Sequence, residues 1–128
     1  MKKRSDGKTD IILPGSSVEM LEFKKGVRIT GVRPEIVLAI QVVEGCFHFF
    51  EGTYCVVTSV CEGKHSRTSL HHSGAAVDFR IKHIGGDEPE LTIECIVEDI
   101  RAALTDEFDV VLEKTHIHVE FQPKEGYP

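Results

Sequence analysis

Two short stretches of this chain alternate with a period of two. In 75–81, Ala75, Val77, Phe79 and Ile81 point one way, while Ala76, Asp78 and Arg80 point the other. In 116–121, Ile117, Val119 and Phe121 share one side, and His116, His118 and Glu120 share the opposite one. Successive side chains leave a strand on opposite faces, so this pattern predicts two strands with one buried and one open face. An apolar layer has to cover the inner face. The outer face is then left carrying an unusual set of ionisable residues.

The covering layer is legible as two amphipathic helices. Pro34 stands where a first helical turn tolerates proline, and Ile36, Ile40, Val43, Phe47 and Phe50 follow at spacings of three and four. They predict a helix over about 33–50, ended by Gly52. Ile93, Ile96, Val97, Ile100 and Leu104 predict a second over about 90–104. Tyr54 to Val60 is a β-rich run, and Val110-Val111-Leu112 pairs naturally with 116–121 as a hairpin whose turn lies near Glu113, Lys114 and Thr115. The polar segment 61–74 reads as a long loop. Residues 11–32, broken by Pro14, Gly15 and Gly26, read as turns with a short strand. Residues 1–10 are expected to form a mobile tail, and 11–128 a single α+β domain with a small antiparallel sheet and two main helices. A chain of 128 residues, 41% of them hydrophobic, can bury such a core without disulfides.

Charge and cysteine usage exclude several functions. Fifteen basic against 21 acidic residues leave a net charge of −6, which argues against a nucleic-acid binder held by a basic surface. The apolar run Ile11-Ile12-Leu13 is too short for a secretory signal, and no stretch approaches the ~20 apolar residues of a membrane span. A product made in the cytoplasm without a signal peptide is therefore expected. Cys46, Cys55, Cys61 and Cys95 contain no C-x-x-C pair and are expected as free thiols, not as a disulfide or a cysteine zinc site.

The seven histidines carry the functional signal. His65, His71 and His72 lie in or beside the 61–74 loop, and His116 and His118 share a strand face; His48 and His83 are expected as ordinary surface residues. A catalytic zinc takes three protein ligands and keeps one position open. If 75–81 pairs with 116–121, Asp78 and His118 meet across the sheet beside small Ala76, and a loop hinged at Gly74 can fold His71 toward them. The spacing fits equally a set of solvent-facing histidines without metal.

Ser69-Leu70-His71-His72-Ser73-Gly74-Ala75-Ala76-Val77-Asp78 reads as S-x-H-x-x-G-x-A-x-D, and His116-Ile117-His118 follows as H-x-H on a terminal strand. Together they resemble the two signatures of the zinc D-Ala-D-Ala carboxypeptidases and dipeptidases. That family includes phage endolysins cutting L-alanyl-D-glutamate bonds, and its fold is shared with the Hedgehog signalling domain. The resemblance spans roughly 54–122 and implies one zinc ion held by His71, Asp78 and His118. It implies His116 as a supporting histidine able to hydrogen-bond a developing oxyanion, and Ser69, Arg67, His65 and Lys64 as substrate contacts. The implied reaction is zinc-assisted amide hydrolysis of peptidoglycan peptides, in which a carboxylate carries the proton of the attacking water to the leaving amine.

The chain departs from the peptidase pattern at one place. Those enzymes carry an acidic residue immediately before H-x-H, where this sequence has Thr115; the nearest upstream carboxylate is Glu113. Hedgehog-type domains also set their glutamate farther back, in an E-x-x-x-H-I-H string one residue longer than Glu113 to His118 here. The leading expectation is a zinc peptidase with Glu113 as its base, fitting a phage product released by lysis or carried in a virion, or a cytosolic dipeptidase. The alternatives are a zinc-stabilised binding module that has lost the chemistry, or a zinc hydrolase of another amide. The motifs select neither the bond cut nor the oligomeric state, and two histidines with one aspartate accept other first-row ions too.

Overall fold

A computed structural model describes residues 21–50, 53–61 and 74–123. It contains β1 (Leu21–Phe23), α1 (Pro34–His48), β2 (Cys55–Ser59), β3 (Ala76–Arg80), α2 (Pro89–Ala103), β4 (Phe108–Leu112) and β5 (His116–Phe121). The five strands form one sheet in the order β1-β2-β3-β5-β4.

The α+β class and the positions of both helices agree with the sequence reading, and the sheet differs from it in one respect. It is mixed, not antiparallel throughout, because β1 pairs parallel to β2 with Leu21 opposite Cys55 and Phe23 opposite Val57. The cause is topological: α1 lies between the two strands in sequence and returns the chain to the end from which β1 started. A three-residue strand without clear alternation gives no sign of this direction. The remaining pairs are antiparallel.

Both helices cover the same face. Ile36, Ala39, Ile40, Val43 and Phe47 of α1 and Ile96, Val97 and Ile100 of α2 join Val57, Val77, Phe79, Ile117, Val119 and Phe121 of the strands in one buried cluster. Phe47, Phe79, Ile96 and Ile117 are fully enclosed, each side chain contributing roughly 1.5–3 kcal/mol by leaving water. Pro34 and Pro89 open their helices at positions with no intrahelical N–H to lose. Helix α1 stops at His48, where the Phe49 N–H bonds Gly45 O; the expected terminator, Gly52, lies outside the described residues. At the end of α2, the Arg101 guanidinium donates to Val110 O at 2.9 Å and ties the helix to β4.

Two details set the outer face. Gly74, at φ +78°, lies just before β3, and a Cβ there would run into the carbonyl oxygen of Gly31. Only glycine combines that backbone angle with so close an approach. Between β2 and β3 the register shifts, Val57 facing Phe79 but Ser59 facing Asp78, so Thr58 sits in a bulge. Its hydroxyl lies 3.4 Å from Asp78 O.

Candidate metal centre

Asp78 and His118 are directly opposite each other in the β3–β5 pair, and His116 stands one alternate position along, opposite Arg80. The inward neighbours Val77, Phe79, Ile117 and Val119 are locked in the core, which leaves Asp78, His116 and His118 no choice of face. The alternation read from sequence thus delivers the expected cross-strand meeting.

The geometry is tight. His118 Nδ1 lies 2.7 Å from Asp78 Oδ1, and His116 Nε2 lies 3.7 Å from the same oxygen. The ligand atoms of Asp78, His116 and His118 all fall within 4.8 Å of one another. Zinc bonds nitrogen and oxygen at about 2.0–2.2 Å, which sets tetrahedral ligands about 3.3–3.5 Å apart, so small side-chain adjustments suffice to seat an ion. The donor set, two imidazoles and a carboxylate, suits zinc and other first-row ions. The side chains are 14–30% exposed, which leaves the group open toward solvent.

Each imidazole is also held by its outer nitrogen. His118 Nε2 meets Glu120 Oε1 at 2.8 Å, and the Gln122 amide donates to the other Glu120 oxygen at 2.7 Å. His116 Nδ1 meets the Thr115 hydroxyl at 3.0 Å. With both nitrogens facing carboxylates, His118 is an imidazolium donating to both. Its pKa rises from 6.5 to about 9, chiefly through the hydrogen bond to Asp78, with burial opposing and Glu120 adding to the rise. The proton on Nδ1 occupies the direction in which a cation would bind, so metal entry displaces it.

The sequence-predicted residues separate into three groups. Asp78, His116 and His118 are brought together. Glu113 begins the β4–β5 turn with an exposed side chain, its N–H donating to His116 O at 2.8 Å. His71, Ser69, Arg67, His65 and Lys64 lie outside the described residues. The alternation sets Glu120 on the same face as the two histidines, and the structure adds its grip on His118. The two-residue spacing on one strand face was the available signal.

His83 corrects the sequence reading. It is half-buried, stacked on Phe47 with ring centres 6.1 Å apart, and its Nε2 contacts Tyr54 O at 2.6 Å. A loop histidine reaches the core here because Ile81 and Ile84 on either side are buried and pull the turn down. His48 is exposed as expected. All four cysteines are free, and burial holds the Cys46 and Cys55 thiols above their usual pKa, in the protonated form that does not ligate metal. Among the described residues no helix is long and apolar enough to cross a membrane.

No protein-family model matches this chain, and no curated protein matches it either.

Proposed function

We propose that this chain is a zinc-dependent peptidase hydrolysing peptide bonds next to D-amino acids in peptidoglycan stem peptides, on a Hedgehog/DD-peptidase-like fold. The observation that carries the reading is the register of β3 on β5. It joins the aspartate of S-x-H-x-x-G-x-A-x-D to both histidines of H-x-H, 38 and 40 residues away, in one half-open group. A signature of ten residues and a second motif at a distance have little reason to converge unless they serve one site.

In this reading Asp78 and His118 hold the ion with His71 from the preceding loop, and His116 stands beside it. Bound zinc supplies Lewis-acid polarisation of the scissile carbonyl and a bound water acidic enough to ionise near neutrality. His116, held through Nδ1 by Thr115, directs Nε2 into the group and donates from it to a carbonyl oxygen gaining charge. Glu113, joined to His116 across the turn, serves as the base that moves the water proton to the leaving amine. Ser69, Arg67, His65 and Lys64 contact the peptide.

The second reading is a zinc-stabilised binding module without chemistry, such as a virion component. Thr115 favours it: the residue beside His116 is a hydroxyl engaged with the imidazole at 3.0 Å, where the peptidases carry an acid. One assay separates the two. Zinc-loaded protein and a Glu113→Ala variant are incubated with purified peptidoglycan and short stem peptides, and products are read by mass spectrometry. Cleavage lost in the variant supports the peptidase with Glu113 as base. Cleavage that survives keeps the enzyme and discards that base. No cleavage by protein holding one zinc leaves the binding module.

A further inference from the structure

Beside His116 the structure forms a cavity of about 260 Å³ lined by Lys24, Thr58, Arg80, Lys82, Thr115 and His116. Its residues come from four separate places that the topology forces together. Arg80 is the cross-strand partner of His116, and Lys82 follows two residues later. Thr58 occupies the bulge of β2. Lys24 arrives through the parallel strand β1, its backbone N–H anchored to Val57 O at 2.8 Å.

The charge of this cavity is one-sided. Among the described residues three cationic side chains line it and no carboxylate does, in a chain whose net charge is −6. Two described arginines outside the cavity find acids: Arg33 meets Glu35, and Arg101 meets Glu98, each at 3.3 Å. The side chains of Lys24, Arg80 and Lys82 make no such pair among the described residues. Like charges gathered around one concavity repel one another, and an anion between them removes that repulsion. Arginine offers the planar fork that grips a carboxylate in two places, while the lysines add mobile point charges and the threonine hydroxyls add neutral hydrogen bonds.

We propose that this cavity is an anion-recognising subsite that takes a free carboxylate of the substrate and so fixes which bond lies over the metal centre. The identity of the ligand rests on the peptidase reading; the binding itself does not. A stem peptide offers two such carboxylates, the chain terminus and the α-carboxylate of a γ-linked D-glutamate, and the cavity has room for one residue-sized group.

The probe is the pentapeptide L-alanyl-γ-D-glutamyl-L-lysyl-D-alanyl-D-alanine in four forms: both carboxylates free, either one amidated, or both amidated. Binding to the ¹⁵N-labelled full chain is followed by NMR without metal and with zinc, and cleavage is followed separately. The free acid should bind about ten- to a hundredfold more tightly than the doubly amidated form, with the largest shifts at Lys24, Arg80 and Lys82. The singly amidated form that loses this advantage identifies the carboxylate recognised. Arg80→Gln, and separately the exposed pair Lys24→Gln with Lys82→Gln, should remove most of the preference while zinc affinity stays, and Arg80→Lys should restore part of it.

Equal binding of all four forms, a preference that survives both sets of substitutions, or no binding in either metal state overturns the subsite. Cleavage without carboxylate preference keeps the peptidase and removes the subsite. Carboxylate-selective binding without cleavage does the reverse.

Discussion

The Glu120 carboxylate holds His118 from behind: its Oε1 lies 2.8 Å from Nε2, on the side of the imidazole away from Asp78. Gln122 in turn fixes the second Glu120 oxygen at 2.7 Å. Such an outer partner sets which ring nitrogen carries a proton and which faces the ion. Glu120→Ala is therefore expected to weaken zinc binding about 10- to 100-fold, and Glu120→Gln by less, since an amide oxygen still accepts from Nε2–H. Competition against a chromophoric chelator measures both. Unchanged affinity in the alanine variant would show that the contact is incidental.

The same contacts give a pH dependence of opposite sign with and without metal. In metal-free protein the folded state raises His118 from 6.5 to about 9, first through Asp78 and then through Glu120, against desolvation. Folding thus favours the protonated form, and this stabilisation is complete below pH 6.5 and lost as pH rises through about 9. Zinc needs the deprotonated nitrogen, so its affinity should rise over that window, by about tenfold per unit for one released proton. Melting temperatures across the window, with chelator and with excess zinc, should diverge as pH increases. Parallel curves would exclude His118 as the linked group.

The reach of sequence reasoning follows from what each residue's neighbours impose. Alternation placed Asp78, His116 and His118 on one face because Val77, Phe79, Ile117 and Val119 admit only one orientation. Both helices were legible for the same reason. The parallel entry of β1 was not, since Leu21–Phe23 is too short to show direction, and Lys24 could not be placed in the cavity that His116 also lines without it. The bulge at Thr58 and the burial of His83 likewise depend on pairings made far away in sequence.

Gly74 is expected to tolerate no side chain. Its φ of +78° costs a β-carbon about 1 kcal/mol, and the clash with Gly31 O forces the backbone to move as well. Gly74→Ala should cost roughly 2–4 kcal/mol in urea denaturation, more than a surface substitution. Gly85→Ala, where no atom lies within 4 Å of the added carbon, serves as control. If both variants were equally stable, the close approach of 31 and 74 would not exist in solution.

The ligand set can be decided by comparing two histidines. The resemblance assigns the third ligand to His71, whereas the structure brings His116 within reach of the same cation as Asp78 and His118. Thr115 distinguishes the two roles of His116 chemically. If its hydroxyl donates to Nδ1, Nε2 carries the proton and acts as a donor; if it accepts from Nδ1–H, Nε2 presents a lone pair to metal. With His116 as the oxyanion donor, His116→Ala should retain stoichiometric zinc and lose cleavage about 100-fold or more. His71→Ala and Asp78→Ala should then lose both. Zinc content by elemental analysis and turnover on the same preparations give the answer. Zinc lost in His116→Ala but kept in His71→Ala would make Asp78, His116 and His118 the ligands, and the hydroxyl of Thr115 the acceptor that turns His116 toward the ion.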